Sequence, residues 1–147
     1  MTHTIVNDEK EIGEIIRESF DADDSLMNYV LPATRSEAIE NIVSLNILAC
    51  ENGSDFYKLE SNSGALIGYA NIIAAGNTLY SFGIKISERS EENKKSFIRV
   101  IEEIIQSEEI VCVLNDKNTR AIKFLEMNGY ENQKVVVLKK IRCQQVD

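Results

Sequence analysis

The chain has 147 residues, 44% hydrophobic and 27% charged, with 24 acidic against 16 basic side chains and a formal net charge of −8. That size and balance exclude a disordered chain and predict one globular domain spanning residues 1–147, while the negative field disfavours phosphate backbones, so no nucleic-acid partner is expected. No leader pattern opens the chain and no run approaches the roughly 18 apolar residues of a membrane span, so the expected location is the cytoplasm, without membrane contact.

Residues 3–6 lean towards β-structure, and Asn7 or Asp8 then offers an N-cap to a helix whose Ile12, Ile15, Ile16 and Phe20 recur at helical spacing. The acidic segment from Asp21 to Asp24 reads as a solvated turn. Leu26, Met27, Tyr29, Val30 and Leu31 form an apolar cluster stopped by Pro32, suited to pack over the core or to wall a substrate pocket. Thr34 or Ser36 can cap a second helix, apolar around much of its circumference (Ala38, Ile39, Ile42, Val43, Leu45, Ile47, Leu48) and therefore expected to be largely covered. Asn52-Gly53 ends it in a left-handed cap.

Three strands follow at 55–60, 65–74 and 78–87, separated by Ser61-Asn62-Ser63-Gly64 and Gly76-Asn77, and predict an antiparallel meander. From Glu91 the period changes to about 3.6, placing Phe97, Ile98, Ile101, Ile104 and Ile105 on one face of a third helix. Residues 110–114 are continuously apolar, as in strands buried on both faces, and joined through a helix they should pair parallel with the preceding strand. A fourth helix over 118–127 ends at Asn128-Gly129, and 134–141 is a closing strand whose free edge permits a homodimer. The resulting order is β-α-α-β-β-β-α-β-α-β, an α/β (α+β) mixed sheet with helices on both faces.

Three well-separated cysteines, Cys50, Cys112 and Cys143, suit reduced thiols rather than a disulfide framework, and the lone His3 leaves too few soft ligands for zinc, so no metal is expected. Gly-x-Ser-x-Gly, Walker, His-Glu-x-x-His and paired-cysteine patterns are all missing.

Together with this order, Asn118-x-x-Ala121-x-x-Phe124-Leu125-Glu126-x-x-Gly129-Tyr130 resembles the GCN5-related N-acetyltransferase (GNAT) superfamily, whose fourth helix commonly reads Asn-x-x-Ala-x-x-Phe-Tyr-Glu-x-x-Gly-Phe. The resemblance implies transfer of an acetyl group from acetyl-CoA to an amine carried by a small molecule or a peptide. It implies that the strand over 78–87 splays from its parallel neighbour, that Ile84 and Ile86 meet the pantetheine arm, and that Asn118 lines the far wall or simply caps its helix. It also implies that the turn Arg89-Ser90-Glu91-Glu92-Asn93-Lys94 receives the pyrophosphate, with contacts from Arg89, Ser90, Asn93 and Lys94. Glu92 and Lys94 stand where the superfamily has small residues, so this loop is degenerate. Unit charges about 4 Å apart repel by about 1 kcal/mol in water and about 4 kcal/mol at an effective dielectric of about 20, so Glu91 and Glu92 would weaken phosphate binding unless Lys94 and Lys95 offset them. The same acidic residues would in any case stabilise the start of a helix through its dipole.

The superfamily tyrosine that often acts as acid falls at Leu125, and no carboxylate lies on 78–86. Tyr80 and Ser81 remain as catalytic candidates, although a tyrosine of ordinary pKa near 10 is a poor base at neutral pH. Tyr69 and Tyr80 also read as core residues with solvated hydroxyls. Two functions follow: an acyl-CoA-dependent N-acyltransferase of diverged type, or a non-catalytic binding protein that keeps the fold and has lost the cofactor, as some phage-encoded relatives of this fold suggest.

Overall fold

The computed structural model describes residues 1–28, 34–73, 77–133, 138, 140 and 142. Strand β1 (Thr2–Ile5) leads into helix α1 (Glu9–Ser19), where the Asp8 side chain accepts from the Lys10 amide and Glu9 and Glu11 sit at the positive end of the dipole. Helix α2 (Arg35–Glu51) is capped by Thr34, whose hydroxyl accepts from the Glu37 amide at 3.1 Å while donating to the Glu37 carboxylate at 3.0 Å. It closes at Asn52 and Gly53, whose φ of 100° a residue with a Cβ adopts only with strain.

Strands β2 (Ser54–Glu60), β3 (Leu66–Ile73) and β4 (Thr78–Ile84) form the expected antiparallel meander, with β1 added to its outer edge. Helix α3 (Glu91–Ile104) returns the chain to β5 (Val111–Cys112), parallel to β4, and helix α4 (Thr119–Met127) follows. The sheet order is β1-β2-β3-β4-β5. Alternation along the strands divides the core in two. Phe56 and Tyr69 pack with Ile12, Ile16 and Val43 of α1 and α2, while Leu59, Ala70 and Leu79 pack on the other face with Phe97, Ile101 and Leu125 of α3 and α4. Helices thus cover both faces. Among the described residues no helix is long and apolar enough to cross a membrane.

Four expectations need correction. The segment at Asp21–Asp24 is not wholly solvated: Asp23 is 2% exposed, turned inward by Ala22, which has a left-handed φ of 60° that costs a non-glycine residue roughly 1 kcal/mol. Helix α2 is covered on one side only. Ala38, Ile39, Val43 and Asn46 are buried, whereas Leu45 and Leu48 remain 45% and 54% exposed. Strand β4 ends at Ile84, and Ile86 lies in a 3₁₀ turn (Ile86–Glu88) closed by the Glu88 amide on the Lys85 carbonyl at 2.8 Å. The run over 110–114 supplies just two strand residues, with Val113 78% exposed, because β4 turns away from it. The cluster at 29–32, the Gly76 turn and the closing strand at 134–141 fall outside the described residues in whole or in large part.

Candidate functional site

The site begins with a register fault. Ser81 pairs with Asn71 and Leu79 with Ile72, so Tyr80 is an extra residue on β4 with no counterpart on β3. Such a bulge bends and twists the strand that carries it. Pairing of β4 with β5 is confined to Thr78 with Val111 and Leu79 with Cys112, both before the bulge. Beyond it the two strands diverge around a cavity of about 750 Å³, lined on the strand side by residues 80–84 and opposite by Val113, Leu114 and Asn118. Two glycines make the bend possible. A Cβ on Gly68 would collide with the Gly83 carbonyl oxygen, and one on Gly83 would come within 2.9 Å of the Tyr69 ring and 3.1 Å of Phe20.

A polar network lies under this strand. Asn46 donates from Nδ2 to Ser81 Oγ at 3.2 Å and to the Ile42 carbonyl at 2.9 Å, and the Tyr69 and Ser81 hydroxyls share a bond of 2.9 Å. Asn71 donates to Asn46 Oδ1 at 2.9 Å, while its own Oδ1 is buried without a partner among the described residues. Tyr69 is fully buried, so its hydroxyl anchors this network instead of meeting solvent. Tyr80, at 36% exposure, is the more accessible ring. Ser81 is positioned by this network but not activated: neither imidazole nor carboxylate contacts it among these bonds, so it can orient a polar group but is a poor base.

At the other end, Ser90 accepts from the Asn93 amide at 3.1 Å and caps α3, and Asn93 donates to the Glu88 carbonyl at 2.9 Å. Both serve the turn, and neither lines the cavity; nor does Ile86. Arg89 does line it, with Nε on the Ile84 carbonyl at 2.7 Å and Nη2 on Asp23 Oδ2 at 2.7 Å. The side chains of this ion pair are only 20% and 3% exposed. Burial works to raise the Asp23 pKa, but bonds from Ser25 and Arg89 outweigh it and hold the carboxyl below its ordinary value. Lys94 lines the cavity while pairing with Glu91 at 3.4 Å, and Glu92 stays off the lining.

The lining thus carries five cations, Arg89, Lys94, Lys95, Arg120 and Lys123, against two carboxylates, Asp23 and Glu91. Among the described residues, Lys95, Arg120 and Lys123 form no ion pair. In a chain of net charge −8 this is a local reversal of sign, suited to an anion. Asn118 caps α4, its Oδ1 accepting from the Ala121 amide at 3.4 Å, and the residue also lines the cavity. Leu125 faces the core at 4% exposure, and its neighbour Phe124 reaches the lining.

Of the residues singled out from sequence, the cavity gathers Tyr80, Ser81, Ile84, Arg89, Lys94 and Asn118. Sequence reasoning missed Asp23, Arg120 and Lys123. The i, i+3 spacing of Arg120 and Lys123 just after Asn118 was the available signal, since it places both on one side of α4.

No family model and no curated protein matches the chain by sequence. Solved structures do match in shape. A candidate acetyl transferase of Pyrococcus furiosus is 22% identical with a TM-score of 0.63, over 95% of this chain and 100% of that one. The PaiA N-acetyltransferase of Thermoplasma acidophilum, solved in complex with coenzyme A, is 17% identical with a TM-score of 0.61, over 92% of this chain and 94% of its own. The spermidine N-acetyltransferase of Vibrio cholerae, in complex with CoA and spermine, is 16% identical with a TM-score of 0.53, over 87% and 79%. With the bulged β4 and its splay from β5, these likenesses establish that this chain has the GNAT fold.

Proposed function

We propose that the protein is an N-acyltransferase of the cytoplasm that moves an acetyl group from acetyl-CoA to an amine on a small molecule or peptide. The observation that carries this reading is the cation-lined cavity where β4 leaves β5. Its parts suit the cofactor. The free edge of β4 beyond Leu79 offers main-chain donors and acceptors to an amide-bearing arm. The first amides of α3, with Lys94, Lys95, Arg120 and Lys123, offer positive charge to phosphates. The CoA complexes of two structural neighbours support the same choice.

Acetyl-CoA would supply an activated thioester; the chain itself must align the amine, accept its proton and let the thiolate be protonated. Phe20, Ile42 and Tyr80 offer the amine's carbon frame an apolar wall, and Ser81 a fixed hydroxyl. With Leu125 in the core, no side chain of α4 stands in for a tyrosine acid at that position, and water protonates the sulfur.

One observation favours the second reading, a binding protein without the cofactor: Arg89 spends donors on Asp23 and Ile84, and Lys94 is paired with Glu91. A single titration separates the two. On the enzyme reading, acetyl-CoA raises the melting temperature with a stabilisation of RT ln(1 + [L]/Kd), about 2.7 kcal/mol at roughly 100 times Kd. No stabilisation at millimolar acetyl-CoA rejects it.

A further inference from the structure

We propose that Asp23 is the group that takes the proton from the acceptor amine, and that Arg89 withholds it until an anionic acyl carrier draws the guanidinium away. The inference rests on the acyl-transfer reading above. It starts from a position: Asp23 and Arg89 come from two separate turns, one after α1 and one before α3, meet at 2.7 Å and both line the cavity. Asp23 is the one carboxylate of the lining outside α3, and it lies in the turn that also brings Phe20 and Ser25 to the cavity.

The groups facing it are few. From its own turn, the Ser25 amide and hydroxyl both donate to Oδ1; from the turn before α3, Arg89 donates to Oδ2. Neighbouring charges are engaged elsewhere, Glu18 with Lys85 at 2.9 Å and Asp24 with Arg35 at 2.9 Å. Arg89 is therefore the cation that keeps a nearly fully buried carboxylate ionised.

Arg89 also stands one residue before the cap of α3, beside amides and lysines that favour an anion. A phosphate placed there competes for the guanidinium, and two-pronged binding of phosphate by arginine is strong. Once Arg89 turns to the phosphate, burial acts on Asp23 against the Ser25 bonds alone, and its affinity for a proton rises. The base is then made in the presence of the acyl donor, before which an ammonium would meet only a neutralised ion pair.

The step balances. An ammonium proton passes to Asp23, and the freed lone pair forms the C–N bond to the thioester carbonyl carbon. The C–S bond breaks with its electron pair on sulfur. The surplus proton on nitrogen reaches the thiolate through water, and Asp23 returns its own to solvent.

Calorimetry of acetyl-CoA binding, repeated in buffers of different ionisation enthalpy, tests this without an acceptor. Wild-type protein should take up protons on binding at pH 6, less so towards pH 8, by an amount that Asp23→Asn removes. Asp23→Asn should also bind acetyl-CoA about tenfold more tightly, since Arg89 is no longer shared. Binding with no proton uptake in the wild type, a result that needs no variant to fold, or uptake unchanged in Asp23→Asn, overturns this inference and leaves the proposed function standing. Absence of any binding heat from wild-type protein at millimolar acetyl-CoA overturns both.

Discussion

The two walls of the cavity are built on different principles. The wall from α3 and α4 is charged and largely solvated, with Lys95, Arg120 and Lys123 offered to the space between. The wall from α1, β3 and the turn at Asp23 is apolar and buried, and its polar atoms are tied to one another through Ser81, Tyr69, Asn46 and Asn71. Mobile like-signed charges can receive a ligand at little cost in stability, whereas a buried network fixes geometry and penalises any loss of a partner. On the proposed function, the difference teaches that affinity for an acyl donor and selection of an acceptor would vary separately, since each rests on its own wall. One place joins the walls, the Asp23–Arg89 pair.

The largest expected effect breaks both walls at once. Gly68→Ala puts a methyl into the Gly83 carbonyl, and urea unfolding should show a loss of about 3 kcal/mol or more; a loss under about 1 kcal/mol would mean that the strands can part without damage. Next comes the charged wall alone. Arg120→Glu with Lys123→Glu should weaken acetyl-CoA binding by about 100-fold in low salt and by less in high salt, with the urea midpoint nearly unchanged. Equal weakening at both salt concentrations would show that charge is not what this wall contributes.

A smaller effect probes the junction. Because the Asp23 carboxyl is held below its unfolded value, its contribution to stability is present above about pH 4 and is lost as pH falls through the lower, folded value. Acid titration of Asp23→Asn should therefore show a shallower decline over that range than wild type. The smallest effect sharpens the charged wall: Glu91→Gln should tighten acetyl-CoA binding about threefold, while Glu92→Gln, whose residue is off the lining, should leave it unchanged. Equal effects would mean that both carboxylates reach the ligand.

Periodicity made most of the scaffold legible. The stripe from Ile12 to Phe20, the change of period at Glu91 with the 3.6-residue repeat from Phe97 to Ile105, and the caps at Asp8 and Thr34 are local properties, and helices begin within a residue of where they point. The ends of β4 and β5 were not, since a strand stops where its partner leaves, and the partner leaves because of a bulge that no local pattern marks. Part of the candidate site was legible through the resemblance, which led to Arg89, Lys94, Asn118, Ile84 and the pair Tyr80 and Ser81. Asp23 was hidden because Asp-Ala-Asp-Asp is the composition of an open turn, and burial of one member is made tolerable by the Ser25 donors together with a guanidinium 66 positions away.

The surplus residue on β4 has an evolutionary consequence. Leu79 faces α3, Ser81 and Gly83 face α1 and α2, and Phe82 and Ile84 face α3 again, so Tyr80 is the single interruption in an otherwise regular alternation. Deleting that one codon would straighten the ribbon without turning any neighbour inside out, and the parallel ladder could zip onward through the cleft. A lineage could close the cleft in one mutational event while keeping the alternation of the strand, or reopen it by the reverse insertion.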